Sequence, residues 1–457
     1  MKIIILGAGQ VGSSVAANLV SEANDITVVD VRQDVLQALS ERHDLRTVQG
    51  FASHPSVLAR AGAADADMII AVTNSDETNM VACQVAYTVF RTPTKIARVR
   101  EVDYQRSPGL FSPEAFPVDV LISPEQIVTE YIERLIHVPG ALQVLDFAGG
   151  KAQMVALRIS QDSLLVGARI SDIRADFSSV EFRIASIFRE GRSITPDGDT
   201  VIHRNDEIFV IGAPKHIRRL LKSTRHMERP VDSVMIAGGG NIGVRLARAL
   251  EADFQVKLIE FNAERARAAS EMLNRAIVLN GDAADEDLLI EESIDDVDVF
   301  CALTNADEAN IISCMLAKRL GAHKVMALIN RAAYVDLVQS DVIDIAISPQ
   351  QATIGTLLAH IRRGDVVVVH SLRRGAAEAI EAVAHGDRTS SSVVGRRIDE
   401  LSLPPGTTIG AIVRGEDVLM PHHDAMVEAG DHVILLVGDK RRVPDVERLF
   451  QVGVTFV

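Results

Sequence analysis

The sequence predicts an α/β protein built as a tandem duplication, in which two Rossmann-like domains with doubly wound parallel sheets are each followed by a small α+β domain. Three observations predict this fold. A glycine-rich motif occurs twice, short β-branched segments alternate with helical segments after each motif, and the two copies together nearly fill the 457 residues. Strands that alternate with helices are typical of βαβ units in a parallel sheet.

The repeat is clearest in the glycine-rich motif and in a later polar motif. Gly7-Ala8-Gly9-Gln10-Val11-Gly12 recurs as Gly238-Gly239-Gly240-Asn241-Ile242-Gly243. The same offset relates Thr73-Asn74-Ser75-Asp76-Glu77-Thr78-Asn79 to Thr304-Asn305-Ala306-Asp307-Glu308-Ala309-Asn310. Because the offset is close to half the chain, we predict Rossmann-like domains at 1–137 and 229–363 and small domains at 138–228 and 364–457.

The residue pattern of the first copy predicts its elements in order. Buried strands are expected at Lys2–Leu6, Ile26–Val29, Met68–Val72 and Lys95–Val99, and helices at Val11–Ser21, Arg32–Glu41 and Asn79–Val89. Ser123-Pro124 predicts a helix start, with serine as the cap and proline at the first position, followed by a helix over Glu125–Ile136. In the small domain we expect strands at Met154–Ile159, Ile184–Arg189 and Glu207–Ile211 and a helix near Lys215–Lys222.

Composition excludes several classes of function. The net charge is −15 and the chain has no tryptophan and four tyrosines, which disfavours nucleic acid as a partner. Three cysteines argue against a disulfide framework and favour a reducing cytoplasm. No apolar run approaches the ~18 residues of a membrane span, and the apolar segment after Met1 is too short for a signal peptide.

The glycine motifs predict two nucleotide sites. Each motif follows a predicted strand and opens a helix, so its glycines allow a tight turn, close approach of a pyrophosphate and close helix packing. Asp30 and Glu260 end the second strands, where a carboxylate would accept the ribose hydroxyls and favour NAD(H) over NADP(H). No lysine follows the first loop, so it is not a Walker P-loop. The alternative is that one loop keeps its glycines only for packing.

Further polar residues are expected at the same edge of each sheet. Thr73 and Asn74 follow one predicted strand, and Thr304 and Asn305 repeat them. The acidic helix start at Asp76 and Glu77 has two interpretations, namely helix capping or direct ligand contact. Arg98 ends another strand and could clamp a phosphate, whereas Leu328 takes its place in the second copy. We therefore expect the first site to hold a more highly charged ligand.

No catalytic constellation accompanies these sites. The thirteen histidines do not recur at equivalent positions, and no Ser/His/Asp or Cys/His pairing has a recognisable spacing. His422-His423 is not expected to bind a metal, and the aligned Cys83 and Cys314 are expected to pack in the core. The sequence therefore favours a binding protein over an enzyme.

The order of these motifs, doubled in tandem, resembles the RCK (KTN) nucleotide-binding regulators of potassium transport. The segments Ala346-Ile347-Ser348-Pro349-Gln350-Gln351-Ala352-Thr353 and Ala377-Glu378-Ala379-Ile380-Glu381-Ala382-Val383-Ala384-His385-Gly386-Asp387 strengthen the resemblance. It implies ligand contacts at Gly7–Val11, Asp30, Thr73, Asn74 and Arg98 in the first site, and at Gly238–Ile242 and Glu260 in the second.

The resemblance also implies a function without turnover. Family members form a ring of eight nucleotide-binding lobes, so two lobes per chain imply a homo-tetramer, peripheral on the cytoplasmic face of the cell membrane. The implied partner is an integral membrane subunit of the Trk potassium-translocating type, and the helices Glu125–Ile136 and Gln350–Ile361 would act as hinges. The implied cofactor is NAD, as NADH or NAD⁺. Two alternatives stay open: an NAD-dependent oxidoreductase, and a sensor whose ligand is ATP or ADP.

Overall fold

The computed structural model describes residues 1–20, 24–107, 109–177, 180–223, 230–331, 334–335, 338, 343–361, 365–372, 377–422 and 424–452. Ser21, the last residue of one predicted helix, and His423 of the histidine pair lie outside these residues. The chain divides into two compact units, one formed by Met1–Val128 with Pro349–His360 and the other by Thr129–Ser348 with Ile361–Val457.

The first Rossmann-like domain has a parallel sheet in the order β3-β2-β1-β4-β5-β6, which is the strand order of a doubly wound dinucleotide-binding sheet. Its strands are β1 (Lys2–Leu6), β2 (Asp25–Asp30), β3 (Arg46–Gln49), β4 (Met68–Ala71), β5 (Thr94–Arg98) and β6 (Val120–Ile122). Its helices are α1 (Gln10–Val20), α2 (Gln33–Ser40), α3 (Pro55–Ala61), α4 (Asp76–Val85), α5 (Val102–Arg106) and α6 (Pro124–His137).

The first small domain has an antiparallel sheet in the order β10-β9-β11-β8-β7. Its strands are β7 (Gln143–Phe147), β8 (Ala152–Arg158), β9 (Phe182–Arg189), β10 (Arg192–Ile194) and β11 (Glu207–Gly212), and its helices are α7 (Ile170–Asp176) and α8 (Pro214–Ser223).

The second copy repeats both domains, and the predicted tandem duplication is confirmed. Its parallel sheet has the order β14-β13-β12-β15-β16-β17 and its antiparallel sheet the order β18-β19-β22-β20-β21. The elements are β12 (Ser233–Ala237), α9 (Asn241–Leu250), β13 (Gln255–Glu260), α10 (Ala263–Met272), β14 (Ile277–Asn280), α11 (Glu286–Glu291), β15 (Val299–Ala302), α12 (Asp307–Arg319), β16 (Lys324–Leu328), β17 (Ile345–Ile347), α13 (Pro349–Ile361), β18 (Val366–Leu372), β19 (Ala377–Val383), β20 (Thr407–Arg414), β21 (Asp417–Leu419), β22 (His432–Val437) and α14 (Val443–Phe450).

The two small domains share one apolar core inside the second unit. Phe147 and Phe209 of the first copy and Leu372 and Ile434 of the second belong to the same buried cluster. Polar contacts fix the register of the two sheets, since the Ala148 N–H donates to Glu381 Oε2 over 2.8 Å. Burial of this apolar surface gives the pairing a hydrophobic driving force.

The helices after the Ser-Pro dipeptides do not stay with their own copy. Residues 349–360 of α13 belong to the unit of the first Rossmann-like domain, where Ser14 Oγ of α1 donates to Gln350 Oε1 over 3.2 Å. Residues 129–137 of α6 belong to the unit of the second Rossmann-like domain, where the rings of His137 and Phe254 are 5.3 Å apart. The unit of the first Rossmann-like domain thus includes most of α13 from the other copy, and the unit of the second includes the C-terminal part of α6.

Within the described residues, no helix has the length and apolarity to cross a bilayer.

Candidate nucleotide-binding sites

The first glycine loop is shaped by backbone contacts that a side chain would block. Gly7 has φ 104°, and a Cβ there would lie 3.0 Å from the Thr73 Cα. A Cβ on Gly12 would lie 1.8 Å from the Gly7 carbonyl oxygen, so α1 packs directly on the loop. Gly9 differs, because a Cβ there would meet no atom within 4 Å. The middle glycine therefore faces an open space that a ligand can approach.

The second loop repeats this geometry closely. Gly238 has φ 113°, a Cβ on Gly243 would lie 1.9 Å from the Gly238 carbonyl oxygen, and a Cβ on Gly240 would meet nothing within 4 Å. Gly240 is also the N-cap of α9 and brings no side chain to the first-turn N–H groups. Uncapped N–H groups and the positive end of a helix dipole favour an anion. Both loops therefore fit the phosphates of a nucleotide.

The flanking residues of each motif are arranged alike. Ala8 is buried while Gln10 is exposed, and at the second loop Gly239 is half-buried while Asn241 is exposed. Val11 and Ile242 are both half-buried on the first turn of their helices.

A carboxylate lies next to each loop. Asp30 Oδ2 accepts the Ala8 N–H over 2.6 Å, and its Oδ1 accepts the Arg32 N–H over 2.9 Å. Glu260 Oε2 accepts the Gly239 N–H over 2.7 Å, and its Oε1 accepts the Asn262 N–H over 2.8 Å. Each carboxylate thus reaches the glycine loop from the end of the second strand, as the sequence spacing predicts.

Buried asparagines anchor the threonines at the next strand ends. Thr73 donates to Asn79 Oδ1 from its backbone N–H and its hydroxyl over 2.9 and 2.7 Å, and Asn79 Nδ2 donates to the Arg98 carbonyl over 2.9 Å. Thr304, Asn310 and Leu328 repeat these contacts at 2.9, 2.6 and 2.8 Å. The two asparagines therefore tie neighbouring strand ends together, while the Asn74 and Asn305 side chains remain exposed at the edge.

The acidic helix starts have a structural role. Asp76 is 6% exposed, and its Oδ2 accepts the backbone N–H groups of Arg100 and Glu101, each over 2.8 Å. Asp307 accepts the corresponding N–H groups of Asn330 and Arg331 over 2.9 and 2.8 Å. These contacts hold the loop that follows the neighbouring strand, a role different from both helix capping and direct ligand contact.

Arg98 forms an ion pair with Glu125 in the first turn of α6, with 3.2 Å between Arg98 Nη2 and Glu125 Oε1. The two side chains are only 19% and 15% exposed, so water screens the pair weakly. Arg98 Nε is buried and has no hydrogen-bond partner among the described residues. The corresponding residues of the second copy are Leu328 and Gln350, so the ion pair belongs to the first copy alone.

Cys83 and Cys314 pack in the core, as predicted, and so does Cys301. Cys83, Cys301 and Cys314 are buried and free. Burial raises the pKa of the Cys83 and Cys301 thiols to about 12, which removes the thiolate needed for nucleophilic chemistry. Among the described residues, no group of three or more His, Cys, Asp or Glu side chains could hold a metal ion.

Comparison with known proteins identifies the family. The TrkA-N domain matches residues 3–123 and 234–349, and the TrkA-C domain matches residues 154–224 and 388–451. The Trk system potassium uptake protein TrkA of Halomonas elongata is 61% identical over 456 residues, covering 100% of both chains. This chain belongs to the TrkA family. The TrkA proteins of Vibrio alginolyticus and Haemophilus influenzae are 58% and 52% identical, with 99% and 100% of each chain covered.

Solved structures share the fold of this TrkA-family chain. The GsuK RCK domain matches with a TM-score of 0.61 and 21% identity, covering 98% of this chain and 94% of that one. A GsuK channel bound to NAD matches with the same TM-score and identity, covering 98% of this chain and 78% of the channel. At 21% identity, this structural similarity shows the fold alone.

Sequence reasoning missed two functional candidates of this TrkA-family chain. It did not pair Arg98 with Glu125, although both charges are replaced by uncharged residues in the second copy, and a joint replacement is a signal of contact. It also missed Arg265, which pairs with Glu260 at 2.7 Å and has Val35 as its first-copy counterpart.

Proposed function

We propose that this chain is a peripheral cytoplasmic regulatory subunit that binds NAD(H), ATP or ADP at its two glycine loops and gates a membrane potassium uptake system. The observation that carries the proposal is a continuous series of contacts from the first glycine loop to α6. Gly7 lies against Thr73, Thr73 bonds to Asn79, Asn79 holds the Arg98 carbonyl, and Arg98 pairs with Glu125.

This series supports a coupling role because it ends at Arg98, whose positive charge can pair with Glu125 or with a ligand phosphate. Arg98 Nη2 lies 3.2 Å from Glu125 Oε1, while its buried Nε has no hydrogen-bond partner within the part of the chain that the structure describes. Arg98 therefore has a donor available for a phosphate. A shift of its side chain toward a phosphate would weaken its ion pair with Glu125 of α6. A nucleotide supplies no bond-making chemistry here and acts as an effector. It changes the state of the helix only if it binds one arrangement of Arg98 better than the other.

The family supports the physiological setting. The TrkA relatives carry names of potassium uptake proteins, and a channel of the same fold is described as bound to NAD. By this analogy we propose a homo-tetramer whose eight nucleotide lobes form a ring on an integral membrane Trk subunit. The helices α6 and α13 would transmit the ligand state, since each bridges to a domain of the other copy.

Two alternatives predict different results. An NAD-dependent oxidoreductase would consume NADH with a carbonyl substrate, but it needs a polarising acid that neither glycine-loop site includes in the arrangement described above. A pure adenine-nucleotide sensor would bind ATP or ADP and ignore the nicotinamide. Asp30 and the glycine loop recognise adenosine and phosphates, which makes this the stronger alternative.

The test is potassium flux into vesicles that contain the purified Trk membrane subunit, with and without this chain, in the presence of NADH, NAD⁺, ATP or ADP. Flux should depend on the chain and on at least one nucleotide. Gly9→Asp and Gly240→Asp form a matched pair of variants. A Cβ at either position meets no atom within 4 Å, and each aspartate should block ligand binding at its own loop. Flux that never depends on this chain would contradict gating, and substrate-dependent loss of NADH would favour the oxidoreductase.

A further inference from the structure

The two ribose-side carboxylates differ in their electrostatic surroundings. In the first site, Asp30 accepts two backbone N–H groups, and no ion pair to it occurs among the described residues. In the second site, Glu260 Oε1 also accepts Arg265 Nη2 over 2.7 Å and Arg265 Nε over 3.1 Å. Val35 occupies the first-copy position of Arg265, so this cation is specific to the second site.

Glu260 and Arg265 form an ion pair around a buried carboxylate. The Glu260 side chain is 4% exposed, and a Cβ on Gly239 would lie 3.0 Å from the Glu260 Cβ. The longer acid therefore needs glycine at a position where the first site, with its shorter Asp30, has Ala8. Burial alone would raise the pKa of Glu260, but hydrogen bonds from the Asn262 and Gly239 N–H groups and from Arg265 outweigh it and lower that pKa.

The arginine keeps donors available to a ligand. Its side chain is 62% exposed, and its contacts to Glu260 use only Nε and Nη2 of the guanidinium. An arginine fork suits phosphate oxygens and is positively charged at any physiological pH. The ribose side of the second site therefore has an acid paired with a cation, whereas Asp30 has no ion pair among the described residues.

This difference predicts different ligands. A lone carboxylate at the end of the second strand binds ribose hydroxyls and repels a phosphate on the ribose, whereas a nearby arginine accommodates that phosphate. We infer that Arg265 makes the second site accept adenosine ligands that carry a phosphate on the ribose, the class that includes NADP(H), whereas the first site rejects them. The inference rests on the proposed nucleotide binding at the second loop. It revises the expectation that both acids disfavour such ligands.

The test compares 5′-AMP with 2′,5′-ADP, which differ only by the ribose phosphate, using calorimetry on the full chain. Gly9→Asp blocks the first site, so that only the second binds ligand, and Gly240→Asp blocks the second, so that only the first binds ligand. The second site should bind 2′,5′-ADP at least as tightly as AMP, while the first should prefer AMP by about tenfold or more, the equivalent of ~1.4 kcal/mol. Arg265→Ala in the Gly9→Asp chain should shift the ratio of the two dissociation constants about tenfold toward AMP. Arg265→Lys should shift it less.

A reciprocal change tests the same residue in the other copy. Val35→Arg in the Gly240→Asp chain should improve 2′,5′-ADP binding relative to AMP, and the pair NADP⁺ and NAD⁺ should follow the same order at each site. Thermal unfolding checks that the variants fold. If the second site binds AMP but Arg265→Ala leaves the ratio unchanged, the inference is overturned while the nucleotide site stands. If the second site binds neither ligand, the proposed site fails and this inference fails with it.

Discussion

Arg98 at the end of β5 pairs with Glu125 in the first turn of α6 across 3.2 Å, and both charges are missing from the second copy. The second-copy equivalent of Glu125 is Gln350, which instead accepts a hydrogen bond from Ser14 of α1. The first Rossmann-like domain therefore contacts the first turn of both crossover helices, one through an ion pair and one through a neutral bond. This asymmetry makes the first copy the better candidate for reporting ligand charge.

The first prediction concerns that ion pair. Glu125→Gln, which introduces the second-copy residue, should release Arg98 and strengthen binding of ATP relative to adenosine at the first site. Arg98→Leu should weaken ATP binding more than adenosine binding, and Arg98→Lys should restore charge without the planar fork. Calorimetry with both ligands measures these changes.

A double-mutant cycle separates the pair from its members. Unfolding in urea of both single variants and the double variant should give a coupling of roughly 0.5–3 kcal/mol, as expected for groups in contact. Glu133→Gln on the same helix is the control, because the ion pair of Glu133 among the described residues is a long one, with His137 at 4.0 Å. Equal losses for ATP and adenosine in Arg98→Leu would restrict Arg98 to a structural role.

The second prediction concerns the ribose contact of Asp30. Asp30→Asn should weaken AMP binding at the first site by ~1–3 kcal/mol, because charge-assisted hydrogen bonds to the ribose are lost. The same change should affect 2′-deoxy-AMP less, since that ligand has one hydroxyl fewer to lose. Glu260→Gln should act independently on the second site. Identical losses for AMP and 2′-deoxy-AMP would contradict ribose recognition by this carboxylate.

The third prediction separates packing glycines from the glycine that faces the ligand. Gly12→Ala would place a Cβ 1.8 Å from the Gly7 carbonyl, so we expect destabilisation by ~1–3 kcal/mol or more. Gly9→Ala meets no atom within 4 Å, so stability should change little while nucleotide binding weakens. Thermal unfolding and calorimetry on both variants, with Gly240→Ala as the matched change in the second loop, check this. If Gly9→Ala binds nucleotide as tightly as the unsubstituted chain, the ligand does not approach this glycine and the loop glycines serve packing alone.

The sequence predicted the parallel sheets well because their central strands are continuous apolar runs. The predicted strand Lys2–Leu6 coincides with β1, and the predicted helix Glu125–Ile136 differs from α6 by one residue at each end. The sequence did not predict β3 or β6. β3 has a single apolar residue and β6 is only three residues long, so neither has a clear strand pattern, and pairing with β2 and β5 defines them.

The parts of the candidate site that lie close together in the sequence were predictable. The glycine loops and the acids of β2 and β13 follow from motif spacing within one βαβ unit. The pairing of α6 and α13 with domains of the other copy was not predictable, because it depends on packing between distant segments such as Ser14 and Gln350. The role of Asn79 was not predictable either, since an asparagine near a helix start has several equally plausible hydrogen-bond partners.

The last prediction concerns pH and the contact between the small domains. His370 of β18 is half-buried and packs against Phe147, with the ring centroids 5.0 Å apart, and its Nε2 lies 3.0 Å from the Asp146 carbonyl oxygen of β7. Burial lowers the pKa of His370 from 6.5 to about 4, against the raising effect of that hydrogen bond and with a further lowering by Arg134. The folded chain therefore keeps this ring neutral at pH 5.5, whereas the unfolded chain protonates it.

Because the folded pKa lies below the unfolded one, the contribution of neutral His370 is fully present above pH 6.5 and is lost as the pH falls toward 4. Between pH 8 and pH 5.5 this loss should reach about 1.4 kcal/mol of unfolding free energy, the value of one pH unit below the unfolded pKa. His370→Gln should have lower stability at pH 8 but a flatter dependence on pH, measured by urea unfolding at both values. His385→Gln is the control, since the His385 side chain is 54% exposed and should leave the slope unchanged. A His370→Gln chain that loses stability as steeply as the wild type would show that other groups govern the acid response.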